Sequence, residues 1–204
     1  MKSKIRYIGV SALARSGKDT FCNIAIEQLK NKGITSKKFP LAYSLKKDCE
    51  QFVRDKFGMD VFTEDTTEKT IIRPLFVAYG DVKRQQTQGR CFTELVYEEI
   101  KNDPYDVIFI PDIRYAEYEK DEHYWISQEL QGKLIHVSAY KMVDGNRVYN
   151  TPPNANEARN DPKLKQFADY RVEWEMSKNP NPLTDPILNE QVEVCLNSIL
   201  FSNG

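Results

Sequence analysis

Ile5-Arg-Tyr-Ile-Gly-Val-Ser-Ala-Leu-Ala-Arg-Ser-Gly-Lys-Asp-Thr-Phe-Cys-Asn-Ile-Ala-Ile-Glu-Gln-Leu29 decides the fold. Residues 5–11 read as a first strand. Residues 20–29 place Phe21, Ile24, Ala25 and Leu29 at helical spacing and end before Gly33, which marks an amphipathic helix. Between them, 12–20 is a small-residue turn with the spacing of a phosphate-binding loop; Ala12 stands where the pattern's first glycine usually falls. Backbone N–H groups of such a turn must point inward around an anion, so bulky residues are excluded and Gly17 supplies the permissive backbone. The helix beginning near Lys18 aims its positive end at the anion, and Lys18 is placed to follow charge on β- and γ-phosphates. Asp19 stands where many such loops carry a magnesium-touching hydroxyl, with Thr20 one position later, so direct magnesium ligation by the loop is not expected. The candidate nucleotide-binding residues are Ala12, Ala14, Arg15, Ser16, Gly17, Lys18, Asp19 and Thr20.

Outward from this unit, strands and helices alternate. A short strand is expected over 38–42 and a helix over about 44–57, with Gly58 as its stop. The polar, threonine-rich stretch 60–70 reads as a loop, and Pro74 makes the next helix start near Arg73 or kink there. A helical face covers 92–101, and Val107-Ile-Phe-Ile110 is the continuous apolar run of a strand buried on both faces. Residues 116–131 read as helical and include Tyr118, Tyr124 and Trp125 on one face, and Leu134-Ile-His-Val137 is another buried strand. From 143 to 161 the text turns to Asp, Gly, Asn and Pro, a mobile excursion that would serve as a lid. The last helix opens with Asp185 as N-cap and Pro186 in its first turn. The expected architecture is α/β: a three-layer α/β/α P-loop NTPase arrangement around a parallel sheet, as one domain over 1–204.

Composition narrows the functions this fold could host. The 204 residues are 40% hydrophobic and 29% charged, an ordinary globular mix, and the mean hydropathy of −0.60 with no long apolar run excludes a membrane span. No signal-peptide stretch opens the chain, so the cytosol is the expected address. Lys and Arg total 29 against 30 Asp and Glu, which argues against charge-driven nucleic-acid binding. Cys22, Cys49, Cys91 and Cys195 form no CxxC pair, and His123 and His136 are too few for a histidine metal centre, so no protein-held metal is expected. Small anionic ligands lead.

An acceptor for those anions is legible at Pro111-Asp-Ile-Arg114, which puts Asp112 and Arg114 at the carboxyl end of a buried strand, the edge where ligands of open α/β sheets sit. The arginine can fork onto phosphate, and the carboxylate can accept a sugar hydroxyl or hold a magnesium-bound water. Tyr43, Ser44 and Lys46 follow the second strand at the same edge; a capped helix with solvated lysines explains them equally well. Arg73 and Arg84 add positive charge, as phosphate ligands or as ordinary helix charges. His136, within an apolar strand, is expected to be a packed core histidine.

Taken together, Arg15-Ser-Gly-Lys-Asp-Thr20, Leu41-Ala-Tyr-Ser-Leu-Lys46, Arg73-Pro-Leu, Gly80-Asp81, Pro111-Asp-Ile-Arg114 and Leu134-Ile-His-Val137 resemble the bacteriophage deoxynucleoside monophosphate kinases, in the family's order and over roughly residues 5–140. The resemblance implies an NMP-kinase-like sheet and transfer of the ATP γ-phosphate to a deoxynucleoside monophosphate with magnesium. A homodimer is compatible with it. It places Lys18, Arg84 and Arg114 on the moving phosphates, and Ser44, Lys46, Arg73, Arg84, Asp112, Arg114 and Glu117 around the acceptor. The family commonly has a glutamate six residues after the Asp of Pro-Asp-x-Arg; here that position is Tyr118, flanked by Glu117 and Glu119. In the tail, Asn156-Glu157-Ala158 only loosely follows the family's acidic motif. Rival readings are a P-loop kinase for another small phosphorylated acceptor and a non-catalytic ATP-binding switch.

Overall fold

A computed structural model describes residues 6–176, 179 and 181–201. Strand β1 (Arg6–Ala12) is buried from Ile8 onward because both its neighbours are strands. It pairs in parallel with β3 (Val107–Ile113) on one side and with β4 (Lys133–Val143) on the other. Beyond β3 lies the short β2 (Ser36–Lys38), and beyond β4 lies β6 (Tyr170–Glu175), both parallel. Among the described strands only β5 (Asn146–Tyr149) runs antiparallel, against the far end of β4. The 13–17 loop therefore leaves the central strand of a mostly parallel sheet, at the carboxyl edge.

Helices cover both faces. On one side α1 (Lys18–Asn31) and α7 (Pro186–Leu196) bury Phe21, Ile24, Leu29, Leu188 and Val192 against Ile8, Val10, Phe109 and Val137. On the other, α4 (Cys91–Ile100), a π-helical segment Trp125–Glu129 and α6 (Ala155–Phe167) pack on Ile108, Ile110 and Leu134. Each fully buried Ile, Leu or Phe contributes on the order of 1.5–3 kcal/mol, so these two apolar layers dominate the favourable side of folding. This is the three-layer α/β/α class read from the sequence. A third, smaller cluster of Cys49, Val53, Val61 and Ile72 joins α2 (Leu41–Phe57) to α3 (Thr66–Thr87) beside the main core.

Several local expectations need correction. Helix α3 begins at Thr66, inside the stretch read as a loop, because the Asp65 carboxylate caps the N–H groups of Thr67 and Glu68. Pro74 neither starts nor ends that helix; it sits within it and withholds one N–H from the preceding turn. The helix expected over 116–131 shrinks to α5 (Glu122–Tyr124) and the π-helical segment after it. The excursion at 143–161 holds a hairpin and the start of α6. Its turn is Asp144-Gly145, with φ of 49° and 79°, the left-handed pair that two-residue hairpins favour. His136 is buried as expected, with its Nε2 3.0 Å from Asp161 Oδ1. The four cysteines are free, and no described helix is long and apolar enough to cross a membrane.

Candidate active site

The loop after β1 uses two left-handed residues, Arg15 at φ 64° and Gly17 at φ 88°, to turn the chain back into α1. Glycine tolerates that region without cost, whereas Arg15 needs its surroundings to hold it. No side chain caps the N-terminus of α1, so the first-turn N–H groups face the mouth of the loop. At the matching end of β3, Val10 pairs with Pro111 but Ser11 pairs with Ile113, which leaves Asp112 as a bulged residue at φ 71°. A bulge re-aims a side chain. Here it turns the Asp112 carboxylate to Lys18, whose Nζ lies 3.0 Å from Oδ1.

Charges of both signs converge there. Lys18 Nζ also reaches Asp19 Oδ2 at 2.7 Å, and Arg114 Nη2 lies 3.7 Å from Asp112 Oδ1. Glu157, from the first turn of α6, accepts the Ala14 N–H at 2.8 Å and Arg114 Nη1 at 2.9 Å, and stands 3.7 Å from Arg73 Nη2. Burial pulls the Lys18 ammonium toward neutrality, but Asp112 and then Asp19 outweigh it and hold its pKa above the ordinary value. Burial likewise pushes the Asp112 carboxyl up, and Lys18 followed by Arg114 drives it below the usual range. For Arg114 the cost of burial is outweighed by Asp112 and Glu157. All three stay ionised at neutral pH. Any anion drawn to this cluster would have to compete with carboxylates already seated on its cations.

Arg84 is the main correction to the sequence-based site. Its side chain is 4% exposed and lies beneath the acceptor edge, with Nη2 2.8 Å from Asp121 Oδ2 and Nη1 3.4 Å from Glu122 Oε1. The Tyr115 ring covers its guanidinium at 3.6 Å. Both Nη atoms are thereby paired with carboxylates, although the residue still lines a polar cleft with Asp81 and Gln85; the sequence could not reveal this pairing, because both carboxylates lie more than 35 residues away. Those carboxylates also shape the segment after β3. Glu122 Oε2 accepts the backbone N–H groups of Arg114 (2.6 Å) and Tyr115 (3.0 Å), while Asp121 Oδ2 accepts those of Glu117 and Tyr118. These four amides are thereby satisfied without helix, and the bonds to Glu117 and Tyr118 hold the start of the expected helical stretch in a non-helical turn before α5. Burial raises the Glu122 carboxyl to about 7 despite Arg84, with Asp121 adding to the rise. For Asp121 the cost of burial is outweighed by the Arg84 hydrogen bond, and its pKa falls.

The remaining predicted residues divide. Arg73 joins the central cluster through Glu157. Lys46 contributes to the lowered Asp112 pKa, and its ammonium sits 5.4 Å over the Phe62 ring. Ser44 is buried in the first turns of α2. Glu117 points elsewhere, to Arg159 Nε at 2.6 Å and Asn160 Nδ2 at 3.1 Å, on the rim of a polar cleft of about 150 Å³ that also includes Asp81, Arg84, Gln85 and Asn156. The sequence reading did not place Asp121, Glu122 or Glu157 in the site. Asn154 caps the Glu157 N–H at 2.9 Å, so the Asn-x-x-Glu spacing at 154–157 was a readable helix start. Nothing local marks the other two.

No family model matches the chain, and no curated protein does. Among solved structures the chain is similar to shikimate kinase from Bacteroides thetaiotaomicron, at 13% identity and a TM-score of 0.47, over 96% of this chain and 98% of that one. The fold assignment stands on strand order and loop placement, without support from a likeness this distant.

Proposed function

We propose that this chain is an ATP-dependent P-loop kinase that transfers the γ-phosphate to a deoxynucleoside 5′-monophosphate. One observation carries the reading: Lys18 of the phosphate loop and the Asp112–Arg114 pair from the end of β3 meet in a single ionic cluster at the carboxyl edge of the sheet. A loop that only held nucleotide would have no need of a second phosphate-binding arginine beside its lysine. The deoxynucleotide acceptor rests on the resemblance of the loop, of 41–46 and of Pro111-Asp-Ile-Arg114 to the phage kinases.

In this reading Lys18 follows the charge on the β- and γ-phosphate oxygens, and Arg114 with Arg73 draws the acceptor phosphate to it. Asp112 keeps Lys18 and Arg114 aimed at a common point. Arg84 acts from below by holding the 114–118 segment rather than by touching phosphate. Phosphoryl transfer needs positioning and charge stabilisation more than a base, so the cluster supplies the required kinds of group. Magnesium would arrive with ATP and neutralise phosphate oxygens. Asp19 and Asp112, the carboxylates on Lys18, are the residues that could hold its water.

The test is coupled ADP release with ATP and magnesium against dAMP, dCMP, dGMP, dTMP and the matching ribonucleotides. Release that depends on one or more deoxynucleotides is the expected result. Release that depends on none of the panel, with ATP binding intact, would move the acceptor to another phosphorylated molecule or leave a nucleotide-binding switch.

A further inference from the structure

The phosphate loop is held from behind by two side chains that no motif predicts. β6 pairs with β4 so that Trp174 lies beside Ala139, and on the other side of β4 the Asn150 N–H donates to the Ala139 carbonyl at 3.2 Å. This register brings Trp174 and Asn150 to the same level of the sheet, just behind residues 15–17. The Trp174 indole N–H donates to the Ser16 carbonyl at 3.1 Å. The Asn150 amide donates to Ser16 Oγ at 3.0 Å and to the Arg15 carbonyl at 3.3 Å. Trp174 is 3% exposed and Ser16 2%, so the bond between them forms out of water, whereas the Asn150 bonds lie nearer the surface.

The direction of these bonds bears on ligand binding. In a planar trans peptide the carbonyl of one residue and the N–H of the next point opposite ways. Trp174 draws the Ser16 carbonyl back toward β6, which turns the Gly17 N–H to the opposite side, the mouth of the loop. Asn150 does the same for the Arg15 carbonyl, and the Ser16 N–H it turns away is taken up by Leu13 O at 3.1 Å. The Gly17 N–H precedes the first intrahelical bond of α1, Phe21 N–H to Gly17 O at 2.8 Å, and so joins the first-turn donors. Trp174 also explains why position 17 must be glycine beyond its backbone angle: a Cβ there would lie 2.7 Å from the indole Cζ2.

We propose that Trp174, assisted by Asn150, is a positioning residue for the nucleotide. It fixes the orientation of the Ser16–Gly17 peptide, so that β6 and the β4–β5 hairpin belong to the ATP site without touching ATP. This rests on the kinase reading above. It separates Trp174 from a residue that only fills the core, because a core-filling residue changes how much protein is folded and not how tightly the folded protein holds ATP.

The experiment is calorimetric binding of ATP with magnesium, together with steady-state kinetics, for the wild type, Trp174→Phe and Asn150→Ala. Trp174→Phe keeps an aromatic ring and removes the indole donor. Loss of one buried hydrogen bond that orients a loop peptide is expected to weaken ATP binding about tenfold, with a smaller loss for Asn150→Ala. KM for ATP should rise accordingly, while KM for the acceptor and kcat at saturating ATP change little. ATP affinity equal to wild type in a folded Trp174→Phe protein would overturn the proposal and leave the kinase reading standing. Should that variant not fold, unchanged affinity in Asn150→Ala overturns it instead. A wild-type protein that binds no ATP removes the kinase reading itself, and the proposal with it.

Discussion

The two halves of the site are built in opposite ways. In the proposed reading the donor half, residues 12–20, is one contiguous turn that would bind its anion through backbone N–H donors and a single lysine, and the acceptor half is the charge cluster beside it. The acceptor half is assembled from β3, α3, α5 and α6, and its working parts are side-chain charges: Arg73, Asp112, Arg114 and Glu157, over a buried base of Arg84, Asp121 and Glu122. Backbone donors ask only that the chain turn correctly, whereas a cluster of charges works only if every partner arrives. Changes to the donor half should therefore alter binding and rate within an intact fold, and changes beneath the acceptor half should register first as lost stability.

The largest expected effect sharpens this contrast. Lys18→Ala should lower kcat in the ADP-release assay by about 10²- to 10³-fold, the scale of losing one transition-state charge partner, with the circular-dichroism spectrum unchanged. Turnover near the wild-type level would remove Lys18 from the reaction. Asp121→Ala should do the reverse. It removes the nearer carboxylate from Arg84 where the side chain is 4% exposed, leaving only Glu122 at 3.4 Å, and breaking a buried pair costs up to about 3–5 kcal/mol, seen as a lower denaturation midpoint. A midpoint within error of wild type would show that the buried base does not support the fold.

A pH series tests the same base more gently. With its carboxyl raised to about 7 in the folded state, Glu122 binds a proton there that the unfolded chain has already released. Its contribution to stability is therefore complete in acid, declines as pH rises from the ordinary carboxylate range, and is lost once pH passes about 7. Glu122→Gln should flatten that decline in denaturant titrations across this interval. A variant whose slope matches the wild type would assign the dependence to another group. The smallest effect belongs to Glu157→Gln. Removing a negative charge seated on the Ala14 N–H and Arg114 should tighten acceptor binding a few-fold, read as a lower acceptor KM. A higher KM would mean that Glu157 serves the site by holding Arg114 rather than by competing with substrate.

Much of the fold and part of the site could be read without coordinates, and the division has a physical basis. The strand–loop–helix unit around Gly17 and Lys18, the doubly buried run at 107–110 and the Asp185 cap of α7 all depend on neighbours a few residues apart, so periodicity and capping reveal them. The position of Asp112 and Arg114 at a strand end was also legible, because a strand's end is a local event. The shape of 114–118 was not. The helix expected from 116 does not begin there, because Asp121 and Glu122 take up the N–H groups of 114–118, with Arg84 arriving from α3 to pair with both carboxylates.

The sequence by itself determined the class of fold, the turn that can cradle phosphate and the strand end that faces it. Tertiary structure alone decided which cations remain for a ligand. Arg84 and Arg114 look alike as text, but one is paired with Asp121 and Glu122 under the Tyr115 ring while the other meets Lys18 across Asp112. It also decided that Trp174, 157 positions beyond Gly17, would stand behind the loop. Backbone preference acts over a turn or two, whereas the worth of a charge depends on burial and partners, and those are set by whatever the packed chain brings near it.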